Sequence, residues 1–408
     1  MEGVLGRLLS ITYLFSFSVP VASFDKSIGF GHHLSLFTIV RFPNSECIGT
    51  LGSNGTCYTA TECGGHGGEA QGSCAQGFGV CCVFDLRCGG TTSQNVTYLN
   101  LNKTAFGNCN FEICSDNQDI CKLRLDFESL SLTGPLKDTF ENAVDSVVKN
   151  SHSIVGQCLG DSFIVASAEG SSPPIICGEN SGQHMYTSLV RGCAFISVYI
   201  GTTEFQRSVK IKSTQVSCGS GPPDGCLQWL TGVQGTLQSF NNGGADTHLA
   251  GQEYTACVRR EKGFCSICWS AAIFQMSLQT ADAGQTGARG MSEHDKDCGR
   301  AFIPDDTVQP LYAGFQDYIE IPQGRCQNQG SDTDSIDRYC GEILACAPSA
   351  IGLETATPST VCSSVLPFKV RVFTDEFEAA AMEDGVPDDA SSPPQMGFKM
   401  FFQQMRCI

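Results

Sequence analysis

The sequence predicts a mainly β protein, in which two tandem β-sandwiches follow a small disulfide knot. Three observations predict this fold: 24 cysteines in a chain of 408 residues, short stretches of alternating apolar and polar residues, and an internal repeat. Hydrophobic residues make up 41% of the chain, which is enough for packed cores. The formal net charge of −17 argues against nucleic acid as a partner and against docking on anionic lipid, because both require an excess of Lys and Arg.

The N-terminus has the pattern of a secretory signal peptide. The stretch from Leu8 to Ala22 is almost free of charge, which suits a signal-peptide core and is short for a membrane span of roughly 20 apolar residues. We therefore predict a signal peptide at 1–23, with an uncleaved anchor as the alternative, and a linker at 24–46. No later stretch is apolar for long enough to predict stable membrane insertion.

The cysteines all follow the predicted cleavage point, and their number is even. This pattern predicts a disulfide framework formed in an oxidising compartment. Three Asn-x-Ser/Thr tripeptides agree with a secreted, extracellular glycoprotein. They predict glycosylation at Asn54, Asn95 and Asn102.

The first cysteine cluster occupies residues 47–84, a segment rich in glycine. So little apolar mass cannot form a stable core alone, so cross-links must stabilise it. Adjacent cysteines cannot easily pair with each other, so we expect three bridges to distant partners. The alternative is a zinc site, for which a paired CxxC is missing. The six cysteines are Cys47, Cys57, Cys63, Cys74, Cys81 and Cys82.

Beyond Cys88 the chain alternates between apolar and polar residues in short stretches, which is typical of half-buried strands. Gly, Pro, Ser and Asn separate these stretches, and many short strands at such spacing predict β-sandwiches. The clearest predicted strands are 123–128, 195–200, 209–212, 274–278, 318–321 and 368–372.

An internal repeat divides this region into two copies. Cys121 and Cys268 each precede an alternating strand by the same interval, and Asp161 is echoed by Asp317. The endings match best: the spacing of Lys210, Gln215 and Cys218 is the spacing of Lys399, Gln404 and Cys407. We therefore predict sandwiches at 88–218 and 226–407, joined by a Gly- and Pro-containing hinge at 219–225.

Each copy resembles a CUB domain, an extracellular β-sandwich. The resemblance rests on an opening Cys-Gly-Gly, an L-x-F strand, an Asp-(Tyr/Phe) motif and a later Cys-Gly. The Cys-Gly-Gly begins at Cys88, and the L-x-F strand begins at Leu125. The Asp motif lies at Asp161 and Asp317, and the later Cys-Gly lies at Cys177 and Cys340. The resemblance implies the bridges Cys158–Cys177 and Cys88–Cys121. We also expect Cys226, Cys268, Cys326 and Cys407 to form disulfides.

The N-terminal cluster resembles a clip domain, the six-cysteine knot of arthropod haemolymph proteins. The order of the cysteines and the sequence Val80-Cys81-Cys82 carry this resemblance. It implies the pairs Cys47–Cys81, Cys57–Cys74 and Cys63–Cys82. The whole arrangement is similar to arthropod secreted CUB proteins.

Catalytic motifs are missing from the sequence. A trypsin-like protease needs Gly-Asp-Ser-Gly-Gly, but Phe163 follows Ser162 here, and no Ala-His-Cys or HExxH occurs. We therefore predict a protein that is not an enzyme, with a hydrolase using Ser162 as an alternative. The CxxC formed by Cys265 and Cys268 is expected to be structural, with disulfides to Cys257 or Cys226.

Calcium is the one cofactor that the CUB resemblance brings in. CUB domains that bind it use a Glu after the first core strand, the Asp of the Asp-Tyr motif and an Asp late in the domain. In the first copy Asp161 matches, while the Glu position falls near Thr133. In the second copy Asp317 and Asp375 are candidate ligands, with a turn residue and a surface charge as the alternative. We expect no other cofactor or metal.

The sequence thus predicts a secreted, non-enzymatic protein that binds an extracellular protein or glycan. Rigid sandwiches would hold the loops that recognise the ligand. The alternative is an accessory partner in an extracellular protease cascade, in which the clip-like knot docks a protease.

Overall fold

The structure, a computed structural model, describes most of the chain from residue 40 onward. The described residues are 40–101, 106–115, 117–136, 156–167, 172–189, 192–202, 205–242, 247–276, 317–327, 336–340, 343–344, 358–374 and 396–407. The predicted signal peptide, the sequon at Asn102 and the calcium candidate Asp375 lie outside them. No helix among these residues is long and apolar enough to cross a membrane.

The knot is a four-stranded sheet in the order β1-β2-β4-β3, with one short helix. The helix begins where Thr59 and Glu62 form a capping box, because each side chain accepts a hydrogen bond from the other's backbone N–H. The elements are β1 (Glu46–Ile48), β2 (Asn54–Tyr58), α1 (Ala60–Gly65), β3 (Glu69–Cys74), a 3₁₀ turn (Ala75–Gly77) and β4 (Gly79–Val83).

The first sandwich packs a sheet of order β10-β12-β8-β6 against a sheet of order β11-β9-β13-β7-β5. Its strands alternate buried and exposed residues, as predicted. They are β5 (Asp85–Leu86), β6 (Thr91–Thr92), β7 (Val96–Leu101), β8 (Gly107–Cys114), β9 (Ile120–Ser131), β10 (Ser162–Ser167), β11 (His184–Ser188), β12 (Cys193–Ile200) and β13 (Ser208–Ser217).

The second sandwich has the strand order β14-β16-β21-β18-β20-β17-β22-β15, and β19 pairs with β18. Strand β18 belongs to both faces, because its first residues pair with β21 and its last residues pair with β20. The strands are β14 (Gln228–Leu230), β15 (Gln234–Gln238), β16 (Glu253–Val258), β17 (Phe264–Gln275), β18 (Tyr318–Cys326), β19 (Ile336–Tyr339), β20 (Val361–Ser363), β21 (Phe368–Phe373) and β22 (Gly397–Arg406).

The mainly β fold class is confirmed, and most predicted strands lie where the alternation placed them. One prediction was displaced: 274–278 was expected to be a strand, but β17 ends at Gln275 and begins ten residues before Phe274. The early part of β17 lacks the alternation by which a half-buried strand is recognised, because the consecutive residues 267–269 are all buried.

The disulfides described here each join two cysteines of the same module. In the knot they join the pairs that the clip resemblance implies, Cys47–Cys81, Cys57–Cys74 and Cys63–Cys82. In the sandwiches they join Cys88–Cys109, Cys114–Cys193, Cys121–Cys218, Cys158–Cys177, Cys226–Cys257, Cys265–Cys407 and Cys268–Cys362. Cys326 and Cys340 are also disulfide-bonded.

The implied bridge Cys88–Cys121 was wrong. The backbone N–H of Gly89 donates to Asn110, which brings Cys88 against β8 and its partner Cys109. Cys121 instead lies at the start of β9, next to the end of β13, and it pairs with Cys218.

The expected bridges from the CxxC to Cys226 or Cys257 were also wrong, because those two cysteines pair with each other. Side chains three residues apart in a strand point to opposite faces, so Cys265 and Cys268 meet different neighbours. Cys265 pairs with Cys407 after β22, and Cys268 pairs with its cross-strand neighbour in β20.

The repeat is real, but its register differs by three residues from the predicted alignment. Cys121 and Cys265, not Cys268, are equivalent, because each is bonded to the cysteine just after the last strand of its sandwich. The matched glutamines also have the same role. Nε2 of Gln215 and Nε2 of Gln404 each donate to backbone carbonyls of loops in their own sandwich.

The knot continues directly into the first sandwich. Strand β5 pairs with β7, and the backbone N–H of Tyr98 donates to the carbonyl oxygen of Phe84 at 2.7 Å. The hydroxyl of Tyr98 accepts a 2.8 Å hydrogen bond from the backbone N–H of Asn54. Val83, Val96 and Tyr98 are buried together at this junction. Removing the knot would therefore expose apolar surface of the sandwich.

The two sandwiches are fused by a buried polar interface and one continuous apolar cluster. Asn241 is its centre: its backbone N–H donates to Oδ1 of Asn180 at 2.9 Å, and its own Oδ1 accepts from the backbone N–H of Glu179 at 3.1 Å. The segment 219–225, predicted as a hinge, contacts the first sandwich through the exposed side chain of Asp224. The ammonium of Lys122 forms an ion pair with Asp224 at 3.0 Å.

Gly178 permits the close approach of Asn241. Its φ is +75°, and a Cβ there would lie 1.8 Å from Oδ1 of Asn241, well inside any allowed contact. Gly182 offers a matched comparison, because its φ is +80° and a Cβ there would meet nothing within 4 Å.

We predict that Gly178→Ala destabilises the protein much more than Gly182→Ala. The left-handed backbone conformation costs an alanine about 1–2 kcal/mol at either position. Only Gly178→Ala also displaces Asn241 and its two hydrogen bonds, which adds about 2 kcal/mol. Urea unfolding of the two variants measures the difference, and equal midpoints would show that the Gly178–Asn241 contact does not stabilise the interface.

His184 is a titratable group buried in the same interface. Its Nε2 accepts a hydrogen bond from the backbone N–H of Trp229 at 2.9 Å, so the ring is neutral. Burial lowers the pKa of His184, and the positive charge of Arg124 lowers it further, to about 4, while the negative charge of Asp126 opposes the shift. The face of the ring meets Tyr186 edge-on at 5.7 Å.

We predict that His184 makes the protein less stable as the pH falls. Between pH 6.5 and about 4 the unfolded chain binds a proton that folded His184 does not, so stability is lost on going down through this window and is constant above it. The shift corresponds to about 3 kcal/mol. Unfolding of His184→Gln between pH 4 and 8 should show a correspondingly shallower slope. An unchanged slope would contradict the assignment.

Candidate functional site

Asp161 lies just before β10, and both oxygens of its carboxylate are occupied. The guanidinium of Arg207 donates from Nε to Oδ2 at 2.7 Å and from Nη2 to Oδ1 at 2.9 Å. The backbone N–H of Thr133 donates to Oδ2 at 2.8 Å, and that of Gly201 donates to Oδ1 at 2.9 Å. One carboxylate therefore fastens the loops that follow β9 and β12 and the segment that precedes β13.

Electrostatics at this carboxylate favour the charged form. Burial alone would raise the pKa of Asp161, but the hydrogen bonds from Arg207, Thr133 and Gly201 outweigh it and hold the pKa below its usual value. The side chains of Asp161 and Arg207 are 0% and 7% exposed. Asp161 is thus ionised at neutral pH, and its charge is neutralised by another side chain of the same sandwich.

Asp317 has the equivalent place before β18 in the second sandwich. Its Oδ2 lies 3.4 Å from Nε2 of His248, and both side chains are buried. Nε2 of His248 also lies 3.1 Å from the carbonyl oxygen of Met276. Arg207 comes from the segment between β12 and β13, whereas His248 comes from the loop between β15 and β16. Each sandwich has its own motif aspartate, and the residue that contacts it comes from a different loop in the two sandwiches.

These contacts bear on the calcium candidates. Thr133 lies beside Asp161, at the position where the CUB resemblance places a glutamate, but it offers a hydroxyl and an amide in place of a carboxylate. A cation at Asp161 would have to displace Arg207. Asp317 faces an imidazole, and Asp375 is outside the described residues. Calcium binding by Asp317 and Asp375 stays a prediction.

One group of potential metal ligands occurs in the described parts of the chain: Glu112, Cys114 and Cys193. The two cysteines form a disulfide with each other, so their sulfur atoms are not available as thiolate ligands. The group is structural.

A second feature of the first sandwich is the solvent-facing side of the sheet that contains β12. Strand register places three rows across this side. They are Ala166, Phe195 and Glu112; Ile164, Ser197 and Asn110; and Ser162, Tyr199 and Asn108, of which Ser162 alone is buried. We call these nine residues the outer β12 face. One half is largely apolar and aromatic, and the half on β8 carries two amides and a carboxylate.

Two aromatic rings project from the outer β12 face. Phe195 is 50% exposed and Tyr199 is 40% exposed, although β12 is paired with a neighbouring strand on each side. The alternate residues of β12, including Ile196 and Val198, are buried in the core. The rings are thus fixed on a rigid strand and face solvent, which is an arrangement suited to binding rather than to packing.

The candidate nucleophile of the sequence alternative, Ser162, lies on β10 and is only 6% exposed. Two of the seven histidines, His184 and His248, are buried in the structural contacts described above. Within the described residues, the structure therefore does not bring Ser162 and these histidines together as an accessible catalytic pair.

No sequence pattern identified Arg207 or the outer β12 face as functional. Arg207 stands in no motif, and only the fold brings it to Asp161. The aromatic residues had a readable signal: Phe195 and Tyr199 share one parity in 195–200, and the opposite parity is aliphatic. That pattern placed a strand but did not show which face was buried.

One family model matches the second sandwich. Residues 223–405 match the animal CUB domain. This match supports a CUB-like sandwich for the second repeat, and the first repeat shares its final-strand bridge and glutamine contacts. No curated protein matches the chain.

Three solved structures are also similar to the chain. The CUB1-EGF-CUB2 domains of rat MASP-1 are 9% identical and cover 77% of this chain and 99% of that one, with a TM-score of 0.22. The corresponding domain of human MASP-1/3 is 11% identical and covers 76% of this chain and 100% of that one, with a TM-score of 0.21. The full extracellular region of zebrafish Gpr126/Adgrg6 is 11% identical and covers 78% and 34%, with a TM-score of 0.24.

We predict that Arg207→Met costs about 3–5 kcal/mol of stability, because it leaves the buried charge of Asp161 without its partner. Lys210→Met is the matched control. Its ion pair with Glu128, 2.7 Å long, is exposed to solvent, so we expect a loss below about 1 kcal/mol.

A double variant, Asp161→Asn with Arg207→Met, should recover much of the lost stability because no buried charge is left unpaired. Urea unfolding of the unmodified protein and of the three variants measures their stabilities. If Arg207→Met behaves like Lys210→Met, the buried pair does not hold these loops.

Proposed function

We propose that this protein is a secreted, disulfide-rich glycoprotein that binds a basic extracellular protein and acts without catalysis. Its modules would be the knot at 47–84 and the sandwiches at 88–218 and 226–407, after a signal peptide at 1–23. The disulfides support an oxidising compartment. The animal CUB match supports protein binding, since CUB domains mediate protein interactions.

The observation that carries the proposal is the pair Phe195 and Tyr199 on the outer β12 face. Aromatic side chains contribute most of the binding energy at many protein interfaces, particularly when they are held rigidly. The amides of Asn108 and Asn110 and the carboxylate of Glu112 would form a polar border beside the rings. A basic partner is favoured by the net charge of −17, which would accelerate its association.

Glycosylation at Asn54, Asn95 and Asn102 belongs to this proposal. Asn95 is exposed, and its Oδ1 accepts a hydrogen bond from the backbone N–H of Gln215 at 3.0 Å, so its amide nitrogen is free of that contact and can carry a glycan. Asn54 is half-buried and its amide donates to Glu46 at 2.6 Å.

The knot supports a second candidate, an accessory role in an extracellular protease cascade of the kind suggested by clip domains of arthropods. Ile48 and Leu51, at the first hairpin of the knot, are 72% and 80% exposed. Apolar side chains at a hairpin tip could contact a protease. This candidate differs from the first in the surface that binds.

We predict that Phe195→Ser with Tyr199→Ser weakens binding of the basic partner at least tenfold, because two aromatic contacts are lost. The test measures biolayer interferometry of the full secreted chain against a panel of basic extracellular proteins and trypsin-like protease zymogens. Phe401→Ser, on the second sandwich, is the control for an equally exposed aromatic residue.

Loss of zymogen binding in Leu51→Ser, with no effect of the Phe195 and Tyr199 changes, would favour the cascade role. Absence of binding across the panel would count against both. Labelling of Ser162 by a fluorophosphonate probe would contradict the non-catalytic part of the proposal.

A further inference from the structure

A groove of about 600 Å³ lies on the second sandwich, where β15, β22 and β17 run side by side. Cross-strand register places Thr236, Phe401 and Ser270 in one row of its floor. Gln234, Gln403 and Cys268 form the next row. We call this the β22 groove. Gly235, Phe402, Met405, Gln327 and Thr360 complete its lining.

The chemistry of the β22 groove differs from that of the chain as a whole. None of its lining residues is charged, although the chain carries a net charge of −17. Three glutamine amides and three hydroxyls each supply donors and acceptors. Phe401 is 48% exposed and presents an aromatic ring among them. The lining therefore suits a ligand that is uncharged, rich in hydroxyl groups and apolar on one face.

The floor of the groove is held rigid from below. Trp269 and Phe402 contact each other in the core, with ring centroids 5.5 Å apart. The bridges Cys268–Cys362 and Cys265–Cys407 fasten β17 to β20 and to the end of β22. A preformed site of this kind loses little conformational entropy when a ligand binds.

Two charged positions of β22 flank the groove: Lys399, two residues before Phe401 and of the same strand parity, and Arg406, directly after Met405. Lys399 is outside the groove lining. An anionic ligand would be attracted to Lys399, and its binding would weaken with added salt. Hydrogen bonds and ring stacking in the uncharged lining would be far less sensitive to salt. Affinity measured at low and high salt therefore distinguishes an uncharged ligand from an anionic one.

We infer that the β22 groove binds an uncharged oligosaccharide, whose ring hydroxyls bond to the glutamine, serine and threonine side chains while its C–H face stacks on Phe401. The volume lies within the range of small-molecule sites. This site is separate from the outer β12 face and requires a different class of ligand, so either proposal can fail without the other.

The test is isothermal titration calorimetry of the full secreted chain with maltotetraose, chitotetraose and mannotetraose at 50 and 500 mM NaCl. We expect at least one of these neutral probes to bind with an affinity that changes less than twofold with salt. Phe401→Ser should weaken binding about tenfold, because both the stacking contact and the apolar area of the ring are lost. Gln403→Ala should weaken it by a similar factor.

Two variants serve as controls. Phe195→Ser removes an equally exposed ring from the first sandwich and should leave sugar binding unchanged. Lys399→Gln should also leave it unchanged. The inference is overturned if none of the three probes binds, if Phe401→Ser binds as well as the unmodified chain, or if binding is lost at 500 mM NaCl. Thermal melts within a few degrees of the unmodified chain show that the variants are folded.

Discussion

The contact between Gly178 and Asn241 is the constraint on which the arrangement of the two sandwiches depends. No side chain fits at Gly178, because a Cβ there would overlap Oδ1 of Asn241. That oxygen in turn accepts the backbone N–H of Glu179, and the backbone N–H of Asn241 is bonded to Asn180. A polar group left unpaired in this buried place would cost about 1–3 kcal/mol. The two sandwiches therefore fit together in one register, and a small lateral shift would break several hydrogen bonds at once.

The sequence contained much of the fold but little of this interface. Alternation placed β9, β12, β13, β18 and β21, because a strand with one buried face has period 2 regardless of its partners. The Cys-Gly motif at 177–178 was also visible. The role of this glycine could not be predicted, because the motif contains no information about Asn241, which approaches it from the other sandwich.

The wrong disulfides have the same physical origin. A cysteine pairs with whichever strand the fold brings beside it, and spacing along the chain carries little information about neighbours across a sheet. The knot was easier because its six cysteines lie close together and the family pattern names the pairs. In the sandwiches, the partners of Cys88 and Cys121 are Cys109 and Cys218. Predicting these pairs requires the order of the strands in the sheets.

The motif aspartates show how one fold position acquires different electrostatic environments. Asp161 is paired with a guanidinium that stays charged at any physiological pH. Asp317 lies beside the buried imidazole of His248, which is a different kind of group. The motif was readable in both repeats, whereas Arg207 and His248 were not, since they arrive from loops with no sequence pattern. Equivalent backbone positions therefore do not imply equivalent chemistry, and the two sandwiches are free to bind different ligands.

Fusion of the sandwiches has a consequence for binding. The outer β12 face and the β22 groove belong to one compact unit, Phe42–Ile408, and each is built on paired strands rather than on a loop. If two sites were joined by a flexible linker, engaging the second ligand would cost the entropy of ordering that linker. Here both sites belong to one folded unit, so folding has already ordered them and no linker has to be ordered on binding. A protein ligand at the first sandwich and a sugar at the second could then be held together with no further ordering of the molecule, provided that both lie on the same target.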